Sequence, residues 1–70
     1  MIRDPVASST VVSIGYDQAT ETLEVEFLNG GVYQYYNVGQ VVYDEFLTAP
    51  SKGQYLYLNI RNFYPYSRVG

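Results

Sequence analysis

The residues best suited to binding chemistry lie in the last third of the chain. Arginine offers a planar set of donors that fits phosphate or carboxylate, and lysine offers a point charge. Asparagine can read a base or ribose edge, and tyrosine can stack on a planar ligand. Residues 51–70 carry all of these types and no acidic residue. The candidate binding residues, termed here the C-terminal Tyr/Arg face, are Lys52, Asn59, Arg61, Tyr64, Tyr66 and Arg68.

Three interpretations of the C-terminal Tyr/Arg face stay open from the residues alone. Its tyrosines can close a small core while Arg61 pairs with an acid from the first half of the chain. The face can instead contact a partner protein or a second copy, because tyrosine and arginine are enriched at buried interface centres. It can also hold a nucleotide or short RNA, since stacking contributes roughly 1–3 kcal/mol per base. Three cations alone would support only modest RNA affinity.

The residue inventory argues against catalysis and against metal binding. The absence of histidine and cysteine removes the commonest general base, the thiol nucleophile and nearly all zinc ligands. Glu24 and Glu26 share one face of a predicted strand, where we expect an ordinary solvated surface. Ser51 precedes Lys52, but adjacent residues rarely face each other on a helix, so we interpret Ser51 as a helix cap. We therefore predict no catalytic residue, no metal and no cofactor.

The first half of the chain predicts three antiparallel strands in a meander. Apolar residues alternate with other residues at the period of two that a half-buried strand shows. Asn29-Gly30-Gly31 can adopt the positive φ of a tight hairpin between the second and third strands. We expect Tyr33 and Tyr35 to pack under the helices, whereas Tyr36 points to the other face and is a further candidate contact. The predicted strands cover residues 10–16, 23–27 and 32–36.

A first helix is predicted over about residues 38–48. Asn37 can cap this helix, and Gln40 three residues later completes a capping box. Apolar side chains then recur at helical spacing until Pro50, which stops the helix.

A second helix is predicted after Ser51, which forms another capping box with Gln54. Apolar residues at helical spacing continue to Phe63 or Tyr64, and Pro65 ends the helix. A strand through this segment is the alternative, because tyrosine favours sheets. The predicted fold is therefore α+β, with a small three-stranded antiparallel meander followed by two short helices packed on it.

A set of short segments spread over nearly the whole chain carries a family resemblance. These segments are Ser8-Ser9, Ile14–Asp17, Leu23–Phe27, Gly31–Tyr35, Asn37-Val38, Tyr43, Phe46, Ala49, Ser51–Gly53, Asn59–Arg61 and Tyr64–Tyr66. In their order and spacing the chain resembles the KTSC domain family, which occurs at the C-terminus of some lysyl-tRNA synthetases and as a stand-alone protein. The resemblance implies a domain of unknown role for which RNA binding has been suggested. Gly39 departs from the proline expected in many relatives, and the acidic balance of the chain weakens the RNA suggestion.

Length and charge limit the remaining possibilities. Seventy residues can form one small core, so we predict a single KTSC-like domain over residues 1–70 that gains stability from self-association. The formal net charge of −3 argues against broad electrostatic capture of nucleic acid or anionic lipid. No stretch approaches the length of a membrane span, and we expect a cytoplasmic protein without membrane contact. The predicted function is a non-enzymatic recognition or accessory module that binds a protein partner or itself through the C-terminal Tyr/Arg face. The alternative is an RNA- or nucleotide-binding oligomer, including one that sequesters a small nucleotide.

Overall fold

The computed structural model describes all 70 residues as one antiparallel sheet with two helices. The strands lie in chain order across the sheet, each antiparallel to its neighbours, so the connections are short and none crosses over. The α+β class is confirmed, and the predicted meander corresponds to β2, β3 and β4. The elements are β1 (Asp4–Pro5), β2 (Val11–Asp17), β3 (Thr22–Phe27), β4 (Val32–Tyr35), α1 (Gln40–Thr48), α2 (Lys52–Asn59) and β5 (Tyr66–Arg68).

The prediction of three strands was wrong by two, because a short strand is added at each edge of the sheet. β1 pairs with β2 through Pro5 opposite Ser13, and β5 pairs with β4 through Ser67 opposite Gln34. Strands of two and three residues are too short to show a period of two. Their conformation depends on pairing with residues far away in the sequence, which no local pattern indicates.

The hairpin between β3 and β4 is confirmed. Gly30 has a φ of 94°, a value that glycine adopts without steric cost. The Asn29 side-chain oxygen accepts a hydrogen bond from the Gly31 amide at 3.0 Å, which fixes the turn. The Phe27 amide donates to the Gly31 carbonyl at 2.8 Å and closes it.

Helix α1 begins later than predicted. Gly39 occupies the position before its first turn and makes no side-chain cap, so the prediction of Asn37 as the cap was wrong. Asn37 instead has a φ of 63°, in the left-handed region that asparagine tolerates. The next residue, Val38, is fully buried and donates its amide to the Glu21 carbonyl at 2.9 Å. This connection holds the chain on the sheet before the helix can start.

Helix α2 is a helix, and the strand alternative for this segment was wrong. The Ser51 hydroxyl accepts a hydrogen bond from the Gln54 amide at 3.2 Å, which confirms the predicted cap. The helix ends at Asn59 and does not continue to about residue 64. The amides of Ile60 and Arg61 both donate to the Leu56 carbonyl, at 3.0 and 2.8 Å, and this shared acceptor closes the last turn.

The core lies between the two helices and one face of the sheet. Tyr35 is buried as predicted, whereas Tyr33 is only half-buried. A register irregularity between Val11 and Ser13 turns Val12 outward, although the period of two would place it on the same face as the buried Ile14. Neither helix has the length and apolar character needed to cross a membrane. The core consists of Val11, Ile14, Leu23, Val25, Tyr35, Val38, Phe46, Leu56 and Ile60.

Candidate binding pocket beside strand β5

A pocket of about 250 Å³ opens on the helix-bearing side of the sheet, next to β5. Strands β3, β4 and β5 supply its floor, and the end of α2 with the following turn supplies the opposite wall. Two members of the C-terminal Tyr/Arg face, Arg61 and Tyr66, line this pocket together. The lining residues are Phe27, Asn29, Tyr33, Tyr35, Leu56, Arg61 and Tyr66.

Aromatic rings form the floor of the pocket. Tyr66 lies 6.0 Å from Tyr33 and 5.8 Å from Tyr35, measured between ring centroids, with tilted planes. Phe27 meets Tyr33 edge-on at 5.7 Å. Tyr66 as a whole residue is 58% exposed, so a planar ligand can reach it. Alternation along the strands explains this cluster, because residues two apart on β4 project to the same side.

Two arginines beside the pocket form no ion pair with an aspartate or glutamate. Arg61 lines the pocket and lies 6.0 Å over the Tyr57 ring, and Arg68 lies 6.0 Å over the Tyr33 ring. Within 4.0 Å, ion pairs are formed only by Arg3, on the other side of the sheet. The interpretation in which Arg61 pairs with an acid of the first half was therefore wrong. The rim of the pocket is cationic and available to an anion.

The phenol of Tyr35 stays neutral at physiological pH. Burial raises its pKa above the ordinary value, and the nearby positive charge of Arg61 only partly opposes this effect. A neutral hydroxyl can donate a hydrogen bond to an anionic ligand, which a phenolate cannot do. The pocket therefore combines a neutral aromatic floor with a cationic rim.

The other predicted site residues do not join the pocket. Lys52 donates from Nζ to the Ala49 carbonyl at 2.8 Å and so closes the end of α1. Asn59 is exposed and donates to the Tyr55 carbonyl at 3.3 Å. Tyr64 is half-buried and packs against the core.

Arg68 is the one further member that lies close to the pocket, through its contact with Tyr33. Its Nε also donates to the Gly70 carbonyl at 2.8 Å. Tyr36 lies on the opposite face of the sheet, as predicted, where its hydroxyl shares hydrogen bonds with Gln34 and Ser67. The candidate contact at Tyr36 is therefore separate from the pocket.

Sequence reasoning missed five of the residues that line the pocket. Asn29 was interpreted as part of a hairpin, and Tyr33 and Tyr35 were expected to pack in the core. Phe27 and Leu56 follow the apolar periodicity of their elements, which does not distinguish a pocket wall from a buried contact. The position of Asn29 two residues after Phe27, the last residue of β3, is the only local signal, since loops at strand ends commonly border sites.

The opposite face of the sheet holds a polar network instead of the solvated acidic surface that we expected. Arg3 donates to the Glu24 carboxylate at 2.5 Å and to the Ser13 hydroxyl at 3.1 Å. Gln34 donates to the same carboxylate at 2.8 Å, and Glu24 is only 7% exposed. The prediction of Glu24 on a solvated face was wrong because residues 1–3 cross this part of the sheet.

Glu24 is ionised within this network. Burial alone would raise its pKa, but the hydrogen bonds from Gln34 and Arg3 and the charge of Arg3 lower the pKa below its ordinary value. No group of three acidic side chains comes together in a way that could hold a metal ion. The carboxylate is fully satisfied by its neighbours, so its role in this arrangement is structural.

Comparisons with known proteins agree with this architecture. The family model described as KTSC domain matches residues 7–64. A lysine–tRNA ligase of Trichormus variabilis is 36% identical to this chain over a match that covers 97% of this chain and 13% of the ligase. An uncharacterized protein of Stutzerimonas stutzeri is 40% identical over 55 residues, covering 79% of this chain and 78% of that protein. The crystal structure of a KTSC domain protein from Yersinia pestis superposes with a TM-score of 0.95 at 36% identity, covering 99% and 97% of the two chains.

Proposed function

We propose that this chain, which belongs to the KTSC domain family, is a non-enzymatic recognition module whose pocket beside β5 binds an aromatic side chain of a protein partner together with an acidic side chain next to it. The observation that carries this proposal is the position of Arg61. Its guanidinium borders an aromatic pocket and has no carboxylate partner in the chain. Arginine donates in a planar fork that fits a carboxylate or a phosphate.

The size of the pocket favours a small part of a larger ligand. Sites that enclose a drug-sized molecule commonly measure about 300–1,000 Å³, and this pocket measures about 250 Å³. One aromatic side chain or one base fills such a space, with an attached acid at the rim. An aromatic residue next to an acidic residue in a protein segment meets both requirements.

RNA or a nucleotide is the second candidate ligand. Tyr66 presents a free ring face beside Arg61, which is the pairing of stacking surface and cation that single-stranded nucleic acid uses. The matched relatives include lysine–tRNA ligases, although the chain spans only 13% of their length. Against this candidate, the whole chain is acidic, and Lys52 lies outside the pocket.

An NMR amide titration at low salt distinguishes these ligands. The panel contains an acidic peptide with a central tyrosine, the same peptide with lysine in place of each acid, mononucleotides, and single-stranded RNA of increasing length. We expect shifts at Tyr33, Arg61 and Tyr66 with the acidic peptide alone. Affinity that grows with RNA length indicates RNA binding, and saturation by mononucleotides indicates nucleotide sequestration.

A matched pair of variants assigns the binding to the pocket. Arg61→Gln should weaken binding about tenfold, because a charge-assisted hydrogen bond at a partly exposed site is lost. Lys52→Gln removes the same charge outside the pocket and should leave the affinity unchanged. An absence of shifts at the pocket with every ligand at millimolar concentration would refute the proposal.

A further inference from the structure

The two edges of the sheet differ in their ability to accept another strand. At β1, the Val6 amide bonds to the Val12 carbonyl at 3.1 Å, and Asp4 lies opposite Ile14. Along an antiparallel strand, the backbone groups of successive residues point alternately to the neighbouring strand and away from it. Those of Asp4 and Val6 point to β2, so the backbone groups of Pro5 face the free edge. Proline has no amide hydrogen, and this edge is therefore blocked.

The edge at β5 has no such block. The Tyr36 amide bonds to the Pro65 carbonyl and the Val69 amide bonds to the Val32 carbonyl, both at 2.8 Å. The same alternation directs the backbone groups of Ser67 toward β4. The backbone groups of Tyr66 and Arg68 consequently point away from the sheet, where no further strand lies.

The sequence of β5 is complementary to itself when two copies run antiparallel. A two-fold axis through Ser67 places Tyr66 opposite the partner's Arg68, and the reverse pair follows from the symmetry. Both positions are hydrogen-bonded pairs, so the two edges exchange four backbone hydrogen bonds. Each arginine then lies beside a tyrosine ring and not beside another arginine, a favourable cross-strand pair.

We propose that two copies of this chain associate through their β5 edges to form one continuous ten-stranded sheet, with the partner's Arg68 at the mouth of the pocket next to Tyr66. The side chains of Tyr66 and Arg68 are both exposed in the single chain and free to make this contact. The interface contains only three residues from each strand β5 and is therefore small. The affinity is correspondingly weak, and the fraction of dimer rises with the protein concentration. This proposal does not rest on the proposed function, since no ligand takes part in the pairing.

Sedimentation equilibrium of the ligand-free protein up to millimolar concentration tests the dimer. Arg68→Pro removes one outward amide hydrogen per copy and leaves the bonds to β4 intact, so the dimer dissociation constant should rise at least about tenfold. Lys52→Gln, a charge change away from the edge, should not alter it. A wild-type protein that stays monomeric at millimolar concentration would overturn the proposal, as would undiminished dimerisation of Arg68→Pro.

Amide hydrogen exchange of the wild-type protein provides a test that needs no variant. The amides of Tyr66 and Arg68 should exchange rapidly at low concentration and become protected as the concentration rises. The amide of Ser67 should be protected at both concentrations, because it bonds to β4. Protection of Tyr66 and Arg68 that does not change while the protein dimerises would place the interface elsewhere and overturn the assignment.

Exchanging the two side chains tests the cross-strand pairing. Tyr66→Arg sets arginine opposite arginine and should weaken the dimer, whereas the double variant Tyr66→Arg, Arg68→Tyr restores the opposite pair and should recover the association. Equal dimerisation of the single and double variants would contradict the proposed register.

Discussion

Replacing Arg3 with alanine tests whether the polar network on the sheet stabilises the fold. In the native protein, Arg3 holds the Glu24 carboxylate at 2.5 Å and the Ser13 hydroxyl at 3.1 Å. The Arg3 side chain is 29% exposed and that of Glu24 is 9% exposed, so water screens this pair only in part. The substitution leaves Gln34 as the remaining side-chain donor to Glu24.

The expected loss in the free energy of unfolding is about 1–2 kcal/mol at pH 7. A hydrogen bond between charged groups contributes about 1.5–3 kcal/mol when buried, and partial solvent access reduces this value. For a chain of this length, such a loss lowers the melting temperature by roughly 5–15 °C. Arg61→Ala is the matched control, because this exposed arginine has no ion pair and should change stability by less than about 0.5 kcal/mol.

The dependence on pH separates the ion pair from simple packing. The pKa of Glu24 is lowered in the folded protein, so its stabilisation is complete above the ordinary value of 4.5 and is lost as the pH falls through the lowered pKa. Urea unfolding at neutral and strongly acidic pH should therefore show a difference between wild type and Arg3→Ala that shrinks in acid. An equal difference at both pH values would mean that Arg3 acts through its methylene groups, and our account of Glu24 would be refuted.

Three further substitutions test other parts of the fold. Burial and the hydrogen bond to Glu45 raise the pKa of Tyr55 to about 12. The neutral Tyr55 phenol therefore stabilises the folded state fully below pH ~10, and this contribution is lost as the pH rises toward 12. Tyr55→Phe should therefore flatten the alkaline decline of stability in urea unfolding, and an unchanged decline would contradict this assignment. Phe46→Ala removes a fully buried ring at about 3–5 kcal/mol, out of a total stability of about 4–10 kcal/mol, so it should lower the urea midpoint followed by circular dichroism to roughly half of the wild-type value. Cooperative unfolding near the wild-type midpoint would show that the cavity collapses. Gly15→Ala places a Cβ 2.7 Å from the Ile2 carbonyl oxygen, so it should displace residues 1–3 and shift the Glu24 amide signal in NMR spectra. Combined with Arg3→Ala, it should add little to the loss in the free energy of unfolding. Full additivity of the two losses would indicate that the two sites are independent.

Local patterns were sufficient for the parts of the fold that follow a local rule. The alternation in β3 and the Asn29-Gly30-Gly31 turn produce the hairpin that the sequence predicts. The Ser51 cap starts α2 where a polar residue before a helical pattern indicates it. In each case the residues that set the structure are neighbours in the chain.

The features that sequence reasoning missed all depend on distant partners. Asn37 fits a helix cap locally, but the bond from Val38 to Glu21 holds the chain on the sheet and delays α1. Glu24 fits a solvated strand locally, but Arg3 and the first residues cover it. The same reason explains why β1 and β5 were absent from the predicted sheet.

The candidate site was predicted only in part for a related reason. Composition indicated the C-terminal segment, and Arg61 and Tyr66 do meet in one pocket. The prediction assumed a helix to about residue 64 that carries Lys52, Asn59 and Arg61. Because α2 ends at Asn59, Arg61 lies in a turn and the chain returns to the sheet as β5. The addition of β5 brings Tyr66 beside Tyr33 and Tyr35.

The dimensions of the elements explain why a pocket forms at this corner. Five strands about 4.8 Å apart span roughly 19 Å, and the seven residues of β2 extend for about 23 Å. Helices of nine and eight residues are only about 12–14 Å long and about 10 Å wide, so two of them cannot cover the whole face. They cover its centre, where Phe46 and Leu56 are buried. The end near the β3–β4 hairpin is left open, and aromatic side chains there are exposed to solvent unless a ligand or a second copy covers them. A chain that could cover this corner with its own helices would have no pocket, so the shortness of α2 is a structural condition for the proposed recognition.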